Sequence, residues 1–246
     1  MTLDTLRFDV ADELFRQGEL PNFARLFPGG WEKRHTPASF TYAAHMAFFA
    51  GFLPSPTPPG KHPRRFAIRF SGSETTTDET TVFDAPDIVQ GFAGLGYRTI
   101  CLGGVGFFNP RTKLGQNLTR SFDEVHFESA FRVARPDGFE KQIERLATRL
   151  PEIDGRVFVF INVASLHQPN YFYVEGKEEE DVETHAAALR YVDSQIESLL
   201  AAFSGRSVFA IVCADHGTTY GEDGYVGHRI GHDIVWTVPY AEGVIQ

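Results

Sequence analysis

The chain of 246 residues carries 23 Lys+Arg against 32 Asp+Glu, a formal net charge of −9, with 42% hydrophobic and 22% charged residues. These proportions belong to a globular chain with a core and exclude disordered and fibrous ones. The acidic balance argues against nucleic acid as the main partner, because phosphate neutralisation needs a surplus of Lys and Arg. No apolar run approaches the roughly 18 residues of a membrane span and no signal-peptide core is visible, so no membrane span is expected. Both cysteines, Cys101 and Cys213, lie in apolar strand-like runs. They predict buried thiols in a reducing, cytoplasmic compartment rather than a disulfide framework.

Along the chain, helical and strand-like patterns alternate, which predicts an α/β fold with a mostly parallel sheet, 1–246 forming one domain. Apolar Leu6, Val10, Leu14 and Phe15 predict a helix over Leu6–Gln17, stopped by Gly18. Thr41–Ala50 reads as a second helix closed by Gly51, followed by a Pro/Gly loop at 54–63 and a polar loop at 71–81. Asp84-Ala85-Pro86 predicts a helix start, with the helix running to about Leu95, because Pro is tolerated in a first turn. A strand is expected over Tyr97–Leu102, a specificity loop over 103–120, and a helix over Gly138–Leu150. The nearly continuous apolar runs Arg156–Val163 and Ser207–Ala214 read as strands covered on both faces, separated by a helix over Val182–Phe203.

Ligand sites in open α/β sheets gather outside the carboxyl ends of the strands, and chemistry-bearing residues cluster at such places here. Asp215-His216-Gly217 directly follows a predicted strand, and a carboxylate beside an imidazole there suits one zinc or manganese ion. Its alternative is an ordinary turn in which Asp215 caps the next segment. Thr41 opens a predicted helix, where backbone N–H groups favour an anion while the hydroxyl attacks it; a simple N-cap is the alternative. His167, in Ser165–Tyr171, either contacts a phosphoryl oxygen or is a hydrogen-bonded loop histidine. Arg64, Arg65 and Arg69 either attract an anion or form a solvated basic face.

In their order along the chain, these pieces resemble the alkaline phosphatase/sulfatase superfamily, and within it the phosphoethanolamine transferases and lipoteichoic acid synthases. Asp4 matches the acidic residue that ends the first strand. Thr41 matches the nucleophile of a helix that ends in Gly51 ahead of Pro54, and Asp215-His216-Gly217 matches the metal motif. His167-Gln168-Pro169 is similar to the transferases' His-x-Pro loop, GEDGYVGH places His228 on their second substrate-side histidine, and WTVPYAEGVI resembles their closing strand. Three departures stand out. Thr41-Tyr42-Ala43-Ala44-His45 lacks the Cys-x-Pro-x-Arg of formylglycine sulfatases. The loop Asn162–Pro169 has no Asp for a second metal. Only Met1-Thr2-Leu3 precede Asp4 where a full central strand is expected, which predicts a stub or a start placed late.

The resemblance implies a single-domain α/β/α sandwich, alkaline phosphatase-like, and a divalent metal held by Asp4, Thr41, Asp215 and His216. Zinc or manganese is expected ahead of calcium or magnesium. It implies a metal-dependent hydrolase or phospho-group transferase of a phosphate ester or phosphodiester, acting through a phospho-threonine on Thr41 with His167 and His228 as catalytic partners. The substrate would be a small-molecule or head-group anionic ester. His45, His167, His228 and His232 are the substrate-binding or second-metal candidates; His45 equally fits core packing, and His232 equally fits support of a neighbour. A sulfuric-ester hydrolase, or a metal-binding α/β module with impaired catalysis, is the alternative.

Overall fold

The computed structural model describes residues 1–51 and 86–245. The expectations at 54–63 and 71–81, at Pro54, at Arg64, Arg65 and Arg69, and for a helix start at Asp84-Ala85 lie outside the described residues. The strands are β1 (Thr2–Leu3), β2 (Glu32–His35), β3 (Arg98–Leu102), β4 (Glu124–His126), β5 (Val157–Val163), β6 (Val208–Ala214), β7 (Thr219–Tyr220), β8 (Val226–Gly227) and β9 (Thr237–Ile245). The α-helices are α1 (Phe8–Arg16), α2 (Pro21–Leu26), α3 (Thr41–Ala50), α4 (Ile88–Gly94), α5 (Lys113–Thr119), α6 (Gly138–Arg149), α7 (Val182–Ser194), α8 (Ile196–Ala202) and α9 (Asp233–Trp236).

Seven strands form one sheet in the order β2-β9-β6-β1-β5-β3-β4, and β7 and β8 form a separate hairpin. Pairing is parallel from β6 through β1, β5 and β3 to β4; β9 runs antiparallel to both β6 and β2. One apolar cluster joins Val10 and Leu14 of α1, Phe23 of α2, Ile143 and Leu146 of α6 and Leu189 and Val192 of α7 to the sheet. A second joins Phe49 of α3, Val89 of α4 and Leu118 of α5 to Cys101 and Phe160. Helices thus cover both faces around β3 and the C-terminal half of β5, which are buried without alternation. The run Ser207–Ala214, expected to be covered on both faces, instead alternates along β6 and exposes Phe209 and Ile211, so among the described residues one face of its N-terminal half is uncovered.

The first strand is indeed a stub of two residues, yet it sits at the centre of the sheet, with Leu3 in register with Val163 on one side and Ala214 on the other. Its short length is offset by pairing on both edges and by the Met1 ammonium, which donates to the Ile211 carbonyl at 2.8 Å. Cys101 on β3 and Cys213 on β6 are free thiols. Three strand spacings separate them in the sheet, about 14 Å, too far for a disulfide.

Three expectations shift. Helix α4 starts after Asp87, whose carboxylate accepts from the Gln90 amide at 2.8 Å while Gln90 Oε1 accepts from the Asp87 amide. The helix expected over Val182–Phe203 breaks at Gln195. The Ser194 hydroxyl donates back to the Tyr191 carbonyl at 2.6 Å and so competes with the helical ladder. The stretch 103–120 is not all loop: Thr112 caps α5 by accepting from the Gly115 amide, although Gly115 and Asn117 weaken the helical pattern.

Asp193 shows how the helices are locked together. It is buried on α7 and accepts from the Phe23 amide at 2.8 Å and from the Asn22 amide and side chain at 3.2 and 3.1 Å, satisfying the open N-terminus of α2. Asp193→Ala is expected to destabilise the fold by about 2–3 kcal/mol in urea denaturation, with the m-value unchanged.

Candidate metal centre

Because β1, β5 and β6 are adjacent and parallel, their carboxyl ends open side by side. Asp4 follows β1 and Asp215 follows β6 one residue beyond the Leu3–Ala214 pair, so the two carboxylates emerge together. Asp4, Asp215 and His216 are buried, and each offers a ligand atom within 4.8 Å of the other two. That spread is close to what one ion with bonds of about 2.1 Å can bridge.

The bonding around each group leaves one ligand atom open. Asp4 Oδ2 accepts from Asn162 Nδ2 at 3.0 Å, whereas Asp4 Oδ1 has no partner. Asp215 Oδ1 accepts from the Thr5 and His216 amides at 3.1 and 3.0 Å, whereas Asp215 Oδ2 has none. His216 Nδ1 donates to the Gly217 carbonyl at 2.9 Å, which leaves the Nε2 lone pair to accept from the Thr41 hydroxyl or to bind a cation. Two buried carboxylate oxygens without partners are costly unless a cation satisfies them, so the residues fit a divalent ion. Two oxygens and one imidazole favour zinc or manganese over calcium or magnesium.

Electrostatics agree with the geometry. Burial pushes the Asp4 carboxyl up to about 6, and the neighbouring Asp215 carboxylate pushes the same way. Burial also pushes Asp215 up to about 6 and lowers His216 below its usual value. Burial is the largest cause of all three shifts, and a cation here would reverse those of the carboxyls.

Thr41 arrives from the opposite layer. The cap position of α3 is held by Phe40, which supplies no side-chain cap, so the Thr41 hydroxyl is not spent as an N-cap. It is 2% exposed and lies 3.2 Å from His216 Nε2. His228 and His167 complete the cluster. The His228 ring centroid lies 4.6 Å from that of His216 and 5.7 Å from that of His167. His228 Nδ1 is buried without a partner, and burial, together with His216, lowers its pKa to about 3. His167 Nδ1 donates to the Gln168 carbonyl at 2.6 Å, leaving Nε2 open.

Two of the sequence candidates are bound up elsewhere. His45 is fully buried, its Nδ1 donating to the Thr41 carbonyl at 2.7 Å and its Nε2 bonded to Thr2 Oγ1 at 3.0 Å. It packs edge-on against Phe108 and Phe160, and burial lowers its pKa to about 3. A neutral ring with both nitrogens occupied has no atom left for substrate or a second metal. Nor does it form an ion pair with Asp215 Oδ2, 3.7 Å away. His232 accepts from the Ile234 amide through Nδ1, capping α9, and bonds Asp223 through Nε2 at 3.1 Å. It supports the closing strand and is not brought to the cluster.

The residues that sequence reasoning missed are those preparing the ligands. Asn162, fully buried on β5, holds Asp4 and accepts the Gly104 and Val105 amides at 3.2 and 3.0 Å. Its signal was a single amide inside the apolar run 156–163. Thr5 adopts φ 66°, a left-handed conformation unusual for a residue other than Gly, and this geometry aims its amide at Asp215. Thr36 donates from its hydroxyl to the Asp215 carbonyl. Gly217 has no substitute: a Cβ there would sit 2.0 Å from the Ile234 carbonyl oxygen.

No protein-family model and no curated protein sequence matches the chain. Solved structures do. The soluble domain of lipooligosaccharide phosphoethanolamine transferase A from Neisseria meningitidis superposes with a TM-score of 0.64 at 14% identity, over 100% of this chain and 75% of that one. An alkaline phosphatase superfamily protein from Vibrio parahaemolyticus gives 0.59 at 18% identity, over 99% and 58%. The C-terminal periplasmic domain of EptC from Escherichia coli, in complex with Zn, gives 0.55 at 12% identity, over 97% and 70%. The fold is therefore alkaline phosphatase-like, an α/β/α arrangement on a mostly parallel sheet. Among the described residues, no helix is long and apolar enough to cross a membrane.

The raised carboxyls set the pH dependence. In the metal-free protein the folded state holds their protons up to about 6 while an unfolded carboxyl releases them near 3.8, so this pair's contribution to stability falls as pH rises through that window. A cation must displace the same protons. Its affinity, measured by calorimetry with Zn2+, is expected to rise roughly 100-fold from pH 5 to pH 7 and then level off. An affinity flat across that range would place the ion elsewhere.

Proposed function

We propose that the protein is a metal-dependent phosphoric-ester hydrolase or phosphoryl-group transferase with Thr41 as its nucleophile. The observation that carries this reading is the uncapped Thr41 hydroxyl, buried at the start of α3 and 3.2 Å from His216 Nε2. Beside it, Asp4 and Asp215 each present a carboxylate oxygen without a partner. A divalent ion held by Asp4, Asp215, His216 and the Thr41 oxygen, zinc or manganese by its donor set, would supply the charge that lowers the hydroxyl pKa and holds a phosphoryl oxygen.

The protein's own groups account for the rest of the reaction. The N-terminus of α3 presents backbone N–H groups and its positive dipole end to the anion, fixing the phosphorus in front of Thr41 Oγ1. Thr41 Oγ1 attacks in line once its hydroxyl proton has passed to solvent, its bond to phosphorus forming as the bond to the leaving oxygen breaks, and one difficult displacement becomes two. His228, held neutral by burial, suits a hydrogen bond to an equatorial oxygen. His167, its ring 5.7 Å from that of His228 and its Nδ1 engaged by the Gln168 carbonyl, can deliver a proton from Nε2 of its protonated form to the leaving oxygen. Water then releases phosphate, or an acceptor alcohol takes the group; the first is hydrolysis and the second transfer.

The substrate class is an anionic phosphate ester or phosphodiester. The phosphoethanolamine transfer of the Neisseria neighbour is one chemistry that such a site fits. The two free thiols, one of them fully buried, support a cytoplasmic setting.

With Zn2+ or Mn2+ supplied, the wild-type protein is expected to cleave aryl phosphate mono- or diesters and to carry one phosphoryl group on Thr41 in intact-mass and peptide spectra. Thr41→Ala should keep its metal and lose at least about 1,000-fold in kcat. Full activity in Thr41→Ala removes the nucleophile assignment. Turnover of aryl sulfates alone transfers the same machinery to a sulfuric ester.

A further inference from the structure

Asn170 lies three residues beyond His167 in the loop after β5, and it is fully buried. Its Nδ2 group donates to the Leu166 carbonyl at 2.9 Å and to the Tyr220 hydroxyl at 3.1 Å, and its Oδ1 accepts from Thr184 Oγ1 at 2.7 Å. Each bond reaches a different element. Leu166 immediately precedes His167, and its carbonyl also accepts from Thr5 Oγ1 at 3.1 Å, from the loop that carries Asp4. Tyr220 belongs to β7, four residues beyond His216, and its hydroxyl lies 3.0 Å from His185 Nδ1. Thr184 and His185 are both fully buried on α7.

The chain invests several buried polar groups in this one joint. A buried primary amide is costly unless bonded, and an apolar side chain of similar size would fill the space at less cost. The bonds also add no rung to the sheet and no turn to a helix. They tie the peptide before His167 to the segment beyond the metal motif and to α7. Gln168 Nε2 makes a parallel tie to Thr218 Oγ1 at 2.9 Å. Among the described residues the His167 ring makes one hydrogen bond, with the neighbouring Gln168 carbonyl, so its position is set by the backbone on which it stands.

We infer that Asn170 is a positioning residue for His167, clamping the histidine's loop to Tyr220 and Thr184 so that Nε2 faces the cluster of Thr41, His216 and His228. The catalytic consequence rests on the phosphoryl reading of the site; the effect on the His167 ring does not.

The test uses the Zn2+-loaded full chain as wild type, N170D, N170A, H167A and N170D/H167A. N170D is isosteric and keeps the acceptor for Thr184 but removes both donors, and N170A serves if N170D does not fold. Side-chain 15N spectra of the wild type should show one His167 tautomer, protonated at Nδ1. N170D and N170A should show averaging or a shift of those resonances while Zn2+ affinity stays unchanged. Orthophosphate binding is expected to weaken about tenfold in N170D, the scale of an outer hydrogen-bond partner, and to show no additional loss when the change is made in the H167A background. Unchanged His167 resonances in a folded Asn170 variant overturn the inference, as does an equal loss of orthophosphate affinity in both backgrounds. Failure of the wild type to bind orthophosphate counts against the phosphoryl reading, and the ring resonances then decide the positioning role by themselves.

Discussion

Asp4 and Asp215 bring two carboxylates out of adjacent parallel strands into a buried space, each with one oxygen fixed by amide donors and one left without a partner. Two negative charges less than 5 Å apart repel by about 3–4 kcal/mol at an effective dielectric near 20, before either loses its water. Burial raises both carboxyls to about 6, and the Asp215 charge adds to the rise at Asp4, so protons held there relieve the repulsion. A divalent ion relieves it better, and the surrounding structure is arranged as though to receive one. Asn162 aims Asp4, Thr5 and the His216 amide aim Asp215, and the Gly217 carbonyl sets the His216 tautomer.

That constraint explains features that stability alone would not favour. Asn162 interrupts an otherwise apolar central strand. Thr5 holds a left-handed backbone where most side chains are strained. Gly217 must lack a side chain because the Ile234 carbonyl occupies the space. The two-residue β1 is tolerated because it is paired on both edges and packed under helices, so Asp4 remains anchored on a stub. The His45 ring spans Thr2 of β1 and the Thr41 carbonyl of α3, linking the strand that leads into Asp4 to the helix that opens at Thr41.

Much of this was legible in the chain. The alternation of periods announces a parallel α/β sheet, and Asp215-His216-Gly217 after an apolar run marks its ligand-bearing end. Thr41 at the head of an apolar helix and Gly51 at its foot read directly, and Gly51 does adopt the left-handed cap with φ 74°. Less legible was anything decided by partners distant in sequence. Asn162 meets Asp4 across 158 positions and Thr5 meets Asp215 across 210, and no local pattern encodes such pairings. His45 stood open between substrate contact and core packing for the same reason: helical spacing from Thr41 places it on the same face, and only the aromatic walls of Phe108 and Phe160 and the Thr2 hydroxyl show it packed in the core. The spacing of His232 from His228 left it open between a ligand and support of a neighbour; Nδ1 caps α9 and Nε2 bonds Asp223. The break at Gln195 follows from the hydroxyl of Ser194, a choice between two bonding patterns that residue identity alone leaves open.

The account stands on one ion bound between Asp4, Asp215 and His216. Metal stoichiometry by inductively coupled plasma mass spectrometry, on wild type and Asp4→Asn dialysed against sub-micromolar zinc and manganese, tests it most directly. One ion per wild-type chain and its loss from the folded variant is the predicted result. A folded wild type that retains no ion, or an Asp4→Asn variant that retains a full one, would contradict it.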